Sequence, residues 1–392
     1  MNFINPFSQK FKLNLKYRKT ILIIGMFLSL TLAGSAYSDQ NSQFADLVQK
    51  ALKKHADRIN VPGYAFALIK DGKVILNVVS GVKAISKPDK IDASTMFQSG
   101  SIAKAFTALT AVKMAQNGQF KLDDLIEKFI PARCKRGACQ GIQVRHLLSH
   151  SSGISADGLN VAIEMGQPYE KVISLALDAK RRCKPGACFN YNNVAYELTR
   201  EIIEKIESRP YFDVLKEKIL DPIEMKNVSA TFSELTLSKN YFQPHLFRKG
   251  HFIETAYSTN YYNFIASSVL NVNLEGMKAF LDAELGNKEK AVSREVLRIS
   301  HDPVIEANDV YGWFNDSPMK KGMKSSYGLG HRILQFKNLK VVFLGGWLKG
   351  TKNMIAMFPE QKVGFVLLQN SESFLILRML EDFCTYFENN KI

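Results

Sequence analysis

Residues 42–59 bring Phe44, Leu47, Val48, Ala51 and Leu52 back to one side at helical intervals, which predicts an amphipathic helix. From Tyr64 the period changes. Tyr64 to Ile69 and Lys73 to Ser80 alternate and carry β-branched residues around Asp71-Gly72, the turn dipeptide of a two-residue hairpin. Strand patterns return in the last third, at Tyr327 to Gln335, Leu339 to Gly345, Asn353 to Phe358 and Lys362 to Leu368. A closing helix from about Glu372 repeats Phe374, Leu377, Leu380 and Phe383. Residues 101 to about 300 read as mostly helical. Strands from both ends of the chain must then share one antiparallel sheet. The pattern predicts an α/β (α+β) fold: a sheet lobe flanked by helices (37–100 and 325–392), a mostly helical lobe (101–324), and a site in the crevice between them.

The first 36 residues do not belong to that domain. A basic stretch (Lys10, Lys12, Lys16, Arg18, Lys19) precedes the apolar run Ile21 to Ala33 and the small residues Gly34-Ser35-Ala36, the layout of a secretory signal peptide. The apolar run is short for a bilayer span and no cysteine follows it to carry a lipid, so cleavage near Ala36 and a periplasmic location are expected, with an uncleaved anchor as the alternative. The whole chain of 392 residues carries +15, and removal of the segment leaves about +10. No basic stripe with interleaved aromatics points to nucleic acid, and an anionic envelope or anionic substrates fit the charge better. Two clusters, Arg133, Lys135, Arg136 and Arg145, then Lys180, Arg181, Arg182 and Lys184, suggest steering toward a site.

Four of the five cysteines lie in a repeated hexapeptide, Cys134-Lys-Arg-Gly-Ala-Cys139 and Cys183-Lys-Pro-Gly-Ala-Cys188. In an exported chain these read as disulfides, with three pairings open: local closure of each hexapeptide, or either of two cross-links. The spacing is not that of a zinc ribbon, and neither metal nor cofactor is expected. Cys384, inside the last helical pattern, reads as a buried free thiol.

The chemistry concentrates at Ser101-Ile-Ala-Lys104, which opens the apolar run Ala103, Phe106, Leu109 and Val112. Three residues is about one helical turn, so the hydroxyl and the amine share a face. A serine needs a proton acceptor to act as a nucleophile, and a desolvated lysine of lowered pKa is one. Two later segments, His146-Leu-Leu-Ser-His150-Ser-Ser-Gly153-Ile154 and Phe189-Asn190-Tyr191-Asn192-Asn193, follow in order.

With these motifs the chain resembles the serine β-lactamase and penicillin-binding-protein superfamily, nearest to class C β-lactamases and the carboxypeptidases and esterases related to them. The likeness runs from about Val61 to Glu372 and includes Asp221-Pro222-Ile223-Glu224-Met225 and Tyr327-Gly328-Leu329-Gly330. It implies the β-lactamase/transpeptidase-like fold and a serine hydrolase that forms an acyl-enzyme at Ser101. It also implies that Lys104 and Tyr191 share general-base duty, that Asn193 positions substrate and lysine, and that backbone N–H groups of Ser101 and Trp347, beside Gly346, hold the oxyanion. The substrate would be a small molecule or peptidoglycan-derived: a β-lactam, a D-Ala-D-Ala peptide or a carboxylic ester. A non-catalytic binding or regulatory protein of the envelope is the alternative.

The third motif departs from the family. Where relatives carry Lys-Thr-Gly or His-x-Gly, this chain has Leu344-Gly345-Gly346, and leucine can neither hydrogen-bond nor attract a carboxylate. Lys349, His331 and the loop around Arg182 are the candidates to replace that cation. Tyr257, Tyr261, Tyr262 and Phe264 are candidates for an acyl pocket. His146 and His150 lack an H-E-x-x-H pattern and are expected to be structural.

Overall fold

The computed structural model describes residues 40–314 and 320–389. The signal segment predicted at 1–36 lies outside them. Helix α1 covers residues 40–59; a short N-terminal unit ends within it at Val48, and everything from Gln49 onward forms one unit.

Twelve strands follow: β1 (Gly63–Lys70), β2 (Lys73–Gly81), β3 (Phe97–Gln98), β4 (His245–Arg248), β5 (His251–Glu254), β6 (Asn271–Val272), β7 (Ile305–Glu306), β8 (Met323–Tyr327), β9 (Arg332–Phe336), β10 (Leu339–Leu348), β11 (Thr351–Phe358) and β12 (Val363–Gln369). Eight of them form the main sheet in the order β2-β1-β12-β11-β10-β9-β8-β7, and every neighbouring pair is antiparallel. The predicted hairpin is present: Asp71 (φ 49°) and Gly72 (φ 72°) both lie at positive φ, as the tight turn between β1 and β2 requires. β2 is an edge and leaves Val74 and Val79 half exposed, whereas β1 is buried along almost its whole length.

The remaining helices are α2 (Ala103–Gln116), α3 (Val144–Leu148), α4 (Leu159–Glu164), α5 (Tyr169–Asp178), α6 (Asn193–Glu207), α7 (Tyr211–Leu215), α8 (Phe232–Leu237), α9 (Leu274–Glu284), α10 (Arg294–His301) and α11 (Leu375–Asn389). Adjacent residues of a strand face opposite sides of a sheet. On β12, a Cβ at Gly364 would meet Leu281 of α9, while the Phe365 ring packs on Phe383 of α11. The sheet is therefore covered on both faces. α2 is buried at every residue from Ala103 to Val112, and its buried Thr107 and Thr110 hydroxyls donate to the Ala103 and Phe106 carbonyls one turn back.

Two expectations need correction. Tyr327 to Gln335, expected as one strand, is the end of β8, a turn and most of β9. The Gly328 N–H donates to the His331 carbonyl (2.8 Å), closing the turn, and Gly330 at φ 76° leaves no room for a side chain against Ala108 and the Lys104 carbonyl. The central segment is also less uniformly helical than expected. It contains the small pairs β3-β6 and β4-β5, and its last residues, β7 and the start of β8, already belong to the main sheet.

Candidate active site

Ser101 sits in a short 3-10 turn (Gly100–Ile102) that runs directly into α2. The approach to it is fixed on two sides. The Ser99 N–H donates to the Leu270 carbonyl (2.8 Å), and the Ser99 hydroxyl accepts from the Leu270 N–H (2.9 Å). Asn353 of β11 donates to the Gln98 carbonyl (2.8 Å). Gly100 (φ 61°) lies so close to β10 that a Cβ there would stand 2.6 Å from the Trp347 nitrogen, and one on Gly346 would stand 1.9 Å from the Ser99 carbonyl. Only glycines permit this approach, which brings the backbones of Ser101 and Trp347 together.

Lys104 is fully buried. Its Nζ lies 3.1 Å from Ser101 Oγ and 2.7 Å from Asn193 Oδ1, and it also donates to the Ser267 carbonyl. Burial pushes its pKa well below that of a free lysine. The Glu197 carboxyl works against this shift and the Arg332 guanidinium with it. A neutral amine has two hydrogens and one lone pair. With the hydrogens on Asn193 and Ser267, the lone pair faces the serine hydroxyl, the arrangement of a general base and its nucleophile.

The second motif comes to the same place. Asn192 caps α6, its Oδ1 accepting from the N–H groups of Val194 and Ala195 and its Nδ2 donating to the carbonyls of Ile154 and Ser155. The Asn192 N–H donates to Nδ1 of buried His150, whose ring lies tilted with its centroid 4.1 Å from that of Tyr191. This is the structural part that His150 plays. Tyr191 lies beside Ser101, and its ring centroid is 4.7 Å from Lys104 Nζ. Burial lifts its pKa to about 12, against the pull of Arg332 and of the Ser101 hydroxyl. Asn193 Nδ2 donates to Asn160 Oδ1 (3.0 Å), which leaves its Oδ1 to accept from Lys104.

Beneath Lys104, Ser267 links the amine to a second buried group. Its carbonyl accepts from Lys104 and its N–H donates to Glu197 Oε2 (2.9 Å). Burial raises the Glu197 pKa to about 7, with Arg200 opposing.

A cavity of about 720 Å³ opens over Ser101, Tyr191 and Asn193 and is lined on the sheet side by Gly345 to Lys349, Lys352 and Phe374. Leu344 is 3 % exposed and packs in the core rather than lining the cavity. Of the three candidates to replace its cation, Lys349 lines the cavity at an exposed position. His331 does not. Its Nδ1–H donates to the Leu329 carbonyl (2.8 Å) and its Nε2 meets Glu284 Oε1 (3.0 Å), while His301 Nε2 meets Glu284 Oε2 (2.7 Å). The ligand atoms of this buried trio lie within 4.8 Å of one another, a set that a metal could also use; as hydrogen-bonded here it is an ion cluster. Burial disfavours the Glu284 anion, yet the two histidines hold its pKa down to about 2. Among the described residues the Arg182 side chain reaches only Asn190 (3.5 Å), and it does not line the cavity.

Three of the eight clustered surface cations are engaged in structure. Arg133 pairs with Glu170 and Glu201, Arg145 with Asp123, and Arg181 donates to the Ala138 carbonyl. Of the four aromatic candidates only Tyr261 lines the cavity; Tyr257 packs among Phe232, Tyr241 and Phe242, Tyr262 bonds Asn271, and Phe264 is buried against Tyr169. The cysteines close locally, Cys134 to Cys139 and Cys183 to Cys188, and Cys384 is a buried free thiol. Two disulfides fit an oxidising compartment.

Sequence reasoning missed Arg332 and Asp309. The guanidinium lies 5.3 Å from the Tyr191 ring centroid and is held by a bidentate pair of 2.7 Å bonds to Asp309. Its only sequence signal is its place just after the Gly328 to His331 turn.

A family model described as Beta-lactamase matches residues 45–375. "Protein flp" of Staphylococcus aureus strain MW2 is 24% identical over 360 residues, spanning 90% of this chain and 68% of that protein. "Penicillin-binding protein 4" of Amycolatopsis lactamdurans is 26% identical over 192 residues, 48% of this chain and 49% of that one. The octameric penicillin-binding protein homologue from Pyrococcus abyssi superimposes with a TM-score of 0.75 at 26% identity, covering 87% of this chain and 77% of its own. EstCE1, a hydrolase with promiscuous acyltransferase activity, has the same fold, with a TM-score of 0.72 at 16% identity over 88% of this chain and 98% of its own.

Proposed function

We propose, from the premise that this chain belongs to the Beta-lactamase family, that it is an exported serine hydrolase acting through an acyl-enzyme at Ser101. The observation that carries this reading is Lys104 itself: buried, depressed in pKa, its two hydrogens accepted by Asn193 and Ser267, its remaining side 3.1 Å from the nucleophile. Ser101 Oγ attacks the carbonyl carbon of an ester or amide and passes its proton to Lys104. The oxyanion is held by the N–H groups of Ser101 and Trp347, donors of a kind worth about 3 kcal/mol each in the transition state. Tyr191, kept neutral by its raised pKa, relays a proton to the leaving group as the bond to it breaks. Water then attacks the acyl-enzyme, with Lys104 and Tyr191 as base, and releases the acid. Two disulfides and the basic-apolar N-terminal sequence support export. Leu344 in the core favours esters, or amides without the usual acid terminus, over penicillins.

The test is intact-protein mass spectrometry after incubation with a penicillin and, separately, an activated acyl ester, each beside Ser101→Ala. A serine-dependent adduct or turnover is expected, stronger with the ester. With neither probe reacting, the fold would serve as a ligand-binding protein of the envelope.

A further inference from the structure

Lys352 lies on β11 directly across from Trp347 of β10, so the two side chains share a face. Its Nζ is 4.2 Å from the Trp347 ring centroid and 4.5 Å from that of Phe374. All three residues line the cavity that contains Ser101. The two rings are unusual in their exposure: Trp347 is 57% and Phe374 60% accessible, although both are large and apolar. Among the described residues the Lys352 ammonium has no hydrogen-bond or ion-pair partner. Glu372, whose field reaches it, gives its Oε1 to the Gly350 N–H instead (2.8 Å). A half-buried ammonium faced only by aromatic rings lacks the anion that would complete it, and two exposed rings beside it lack an apolar body to cover them.

We propose that Trp347, Lys352 and Phe374 form a docking site for a substrate carboxylate borne on an aromatic or aliphatic acyl group. The inference rests on the serine acyl-hydrolase reading for the reaction that follows docking, but the docking itself is measurable without it. Trp347 ties the two together, since its ring borders the ammonium and its N–H faces the oxyanion. The favoured substrate is an anionic ester or amide whose acid group lies close to the reacting carbonyl.

Calorimetric titration of the Ser101→Ala protein with N-benzylsuccinamic acid and with its primary amide tests the binding. The carboxylate should bind at least tenfold tighter, Lys352→Gln should abolish the difference, and Lys352→Arg should retain most of it. In the Ser101 enzyme, the ratio of kcat/KM for the monophenyl ester of succinic acid to that for neutral phenyl butyrate should fall about tenfold in Lys352→Gln. Equal binding of acid and amide, or a preference that survives Lys352→Gln, overturns the proposal. A Lys352-dependent preference without Ser101-dependent turnover of either ester upholds the docking site and refutes the hydrolase instead.

Discussion

Lys104 and Lys352 are two lysines of one active site, both withdrawn from water and both depressed in pKa by burial. Their surroundings make them different instruments. Lys104 finds acceptors for its hydrogens on α6 and at Ser267, so its neutral form is completely satisfied and its lone pair is free for Ser101. Lys352 meets two ring faces and no acceptor, so its charged form waits for an anion. Desolvation alone does not assign a role to an amine; what remains unsatisfied after its neighbours are counted does.

The largest expected effect breaks the first half of that comparison. Lys104→Met should lower the rate of Ser101 acylation about a thousandfold, the scale of a lost general base, while leaving the melting temperature unchanged or higher, because a buried amine is replaced by an apolar chain. Stopped-flow acylation and calorimetry read the two quantities, and an unchanged acylation rate would remove Lys104 from the mechanism.

Next comes the support beneath the site. The Glu284, His301 and His331 cluster anchors the turn that leads to Arg332, and Glu284→Gln leaves buried histidine without its counter-ion, a change that costs about 3–5 kcal/mol. The pH dependence has two limbs. Glu284 is depressed to about 2, so its contribution is present above the ordinary carboxylate range and is lost as pH falls toward 2. Burial disfavours the His331 cation, but Glu284 and the Leu329 carbonyl raise its pKa, so that contribution is complete below 6.5 and is lost as pH rises through the raised value. Denaturant titrations across pH should show both limbs shrinking in Glu284→Gln; identical profiles would deny the cluster its role.

A smaller effect separates the two disulfides. Each closes a six-residue loop, worth about 2 kcal/mol on chain-entropy grounds. Paired serine substitutions should cost similar stability at either site. Only Cys183→Ser with Cys188→Ser should also lower kcat, since that loop is held along Ser151 and Gly153 and leads straight to Tyr191. Equal kcat values in the two double variants would count against this coupling.

The finest test concerns the charge pair beside Tyr191, Arg332 and Asp309. Removing the Arg332 cation raises the pKa of both Lys104 and Tyr191, so Arg332→Gln should move the acid limb of kcat/KM to higher pH. Asp309→Asn removes a carboxylate that raises the Tyr191 pKa and should move the alkaline limb, on which Tyr191 loses its proton, to lower pH. Shifts of the same sign in both variants would show disturbed packing rather than altered charge.

The sequence by itself determined the local chemistry and the local elements. Ser101 and Lys104 lie one turn apart on a helix, Asp71-Gly72 sets its own hairpin, and Cys384 falls on the apolar side of its helix; each depends on residues within a few positions of one another. The strand running through Tyr327 to Gln335 was misread because its apolar pattern continues across a turn that only Gly328 and Gly330 betray. Tyr191 and Asn193 were legible through resemblance, and the fold brings both to Lys104. Tertiary structure decided the rest. Which cysteines pair, that Leu344 faces the core, that His331 belongs to a buried cluster, and that Arg332 and Lys352 reach the cavity all depend on strand register and on contacts between distant segments. A side chain's type is written at its position, but whether its charge meets a carboxylate, a ring or an open cavity is settled by the neighbours that folding brings to it.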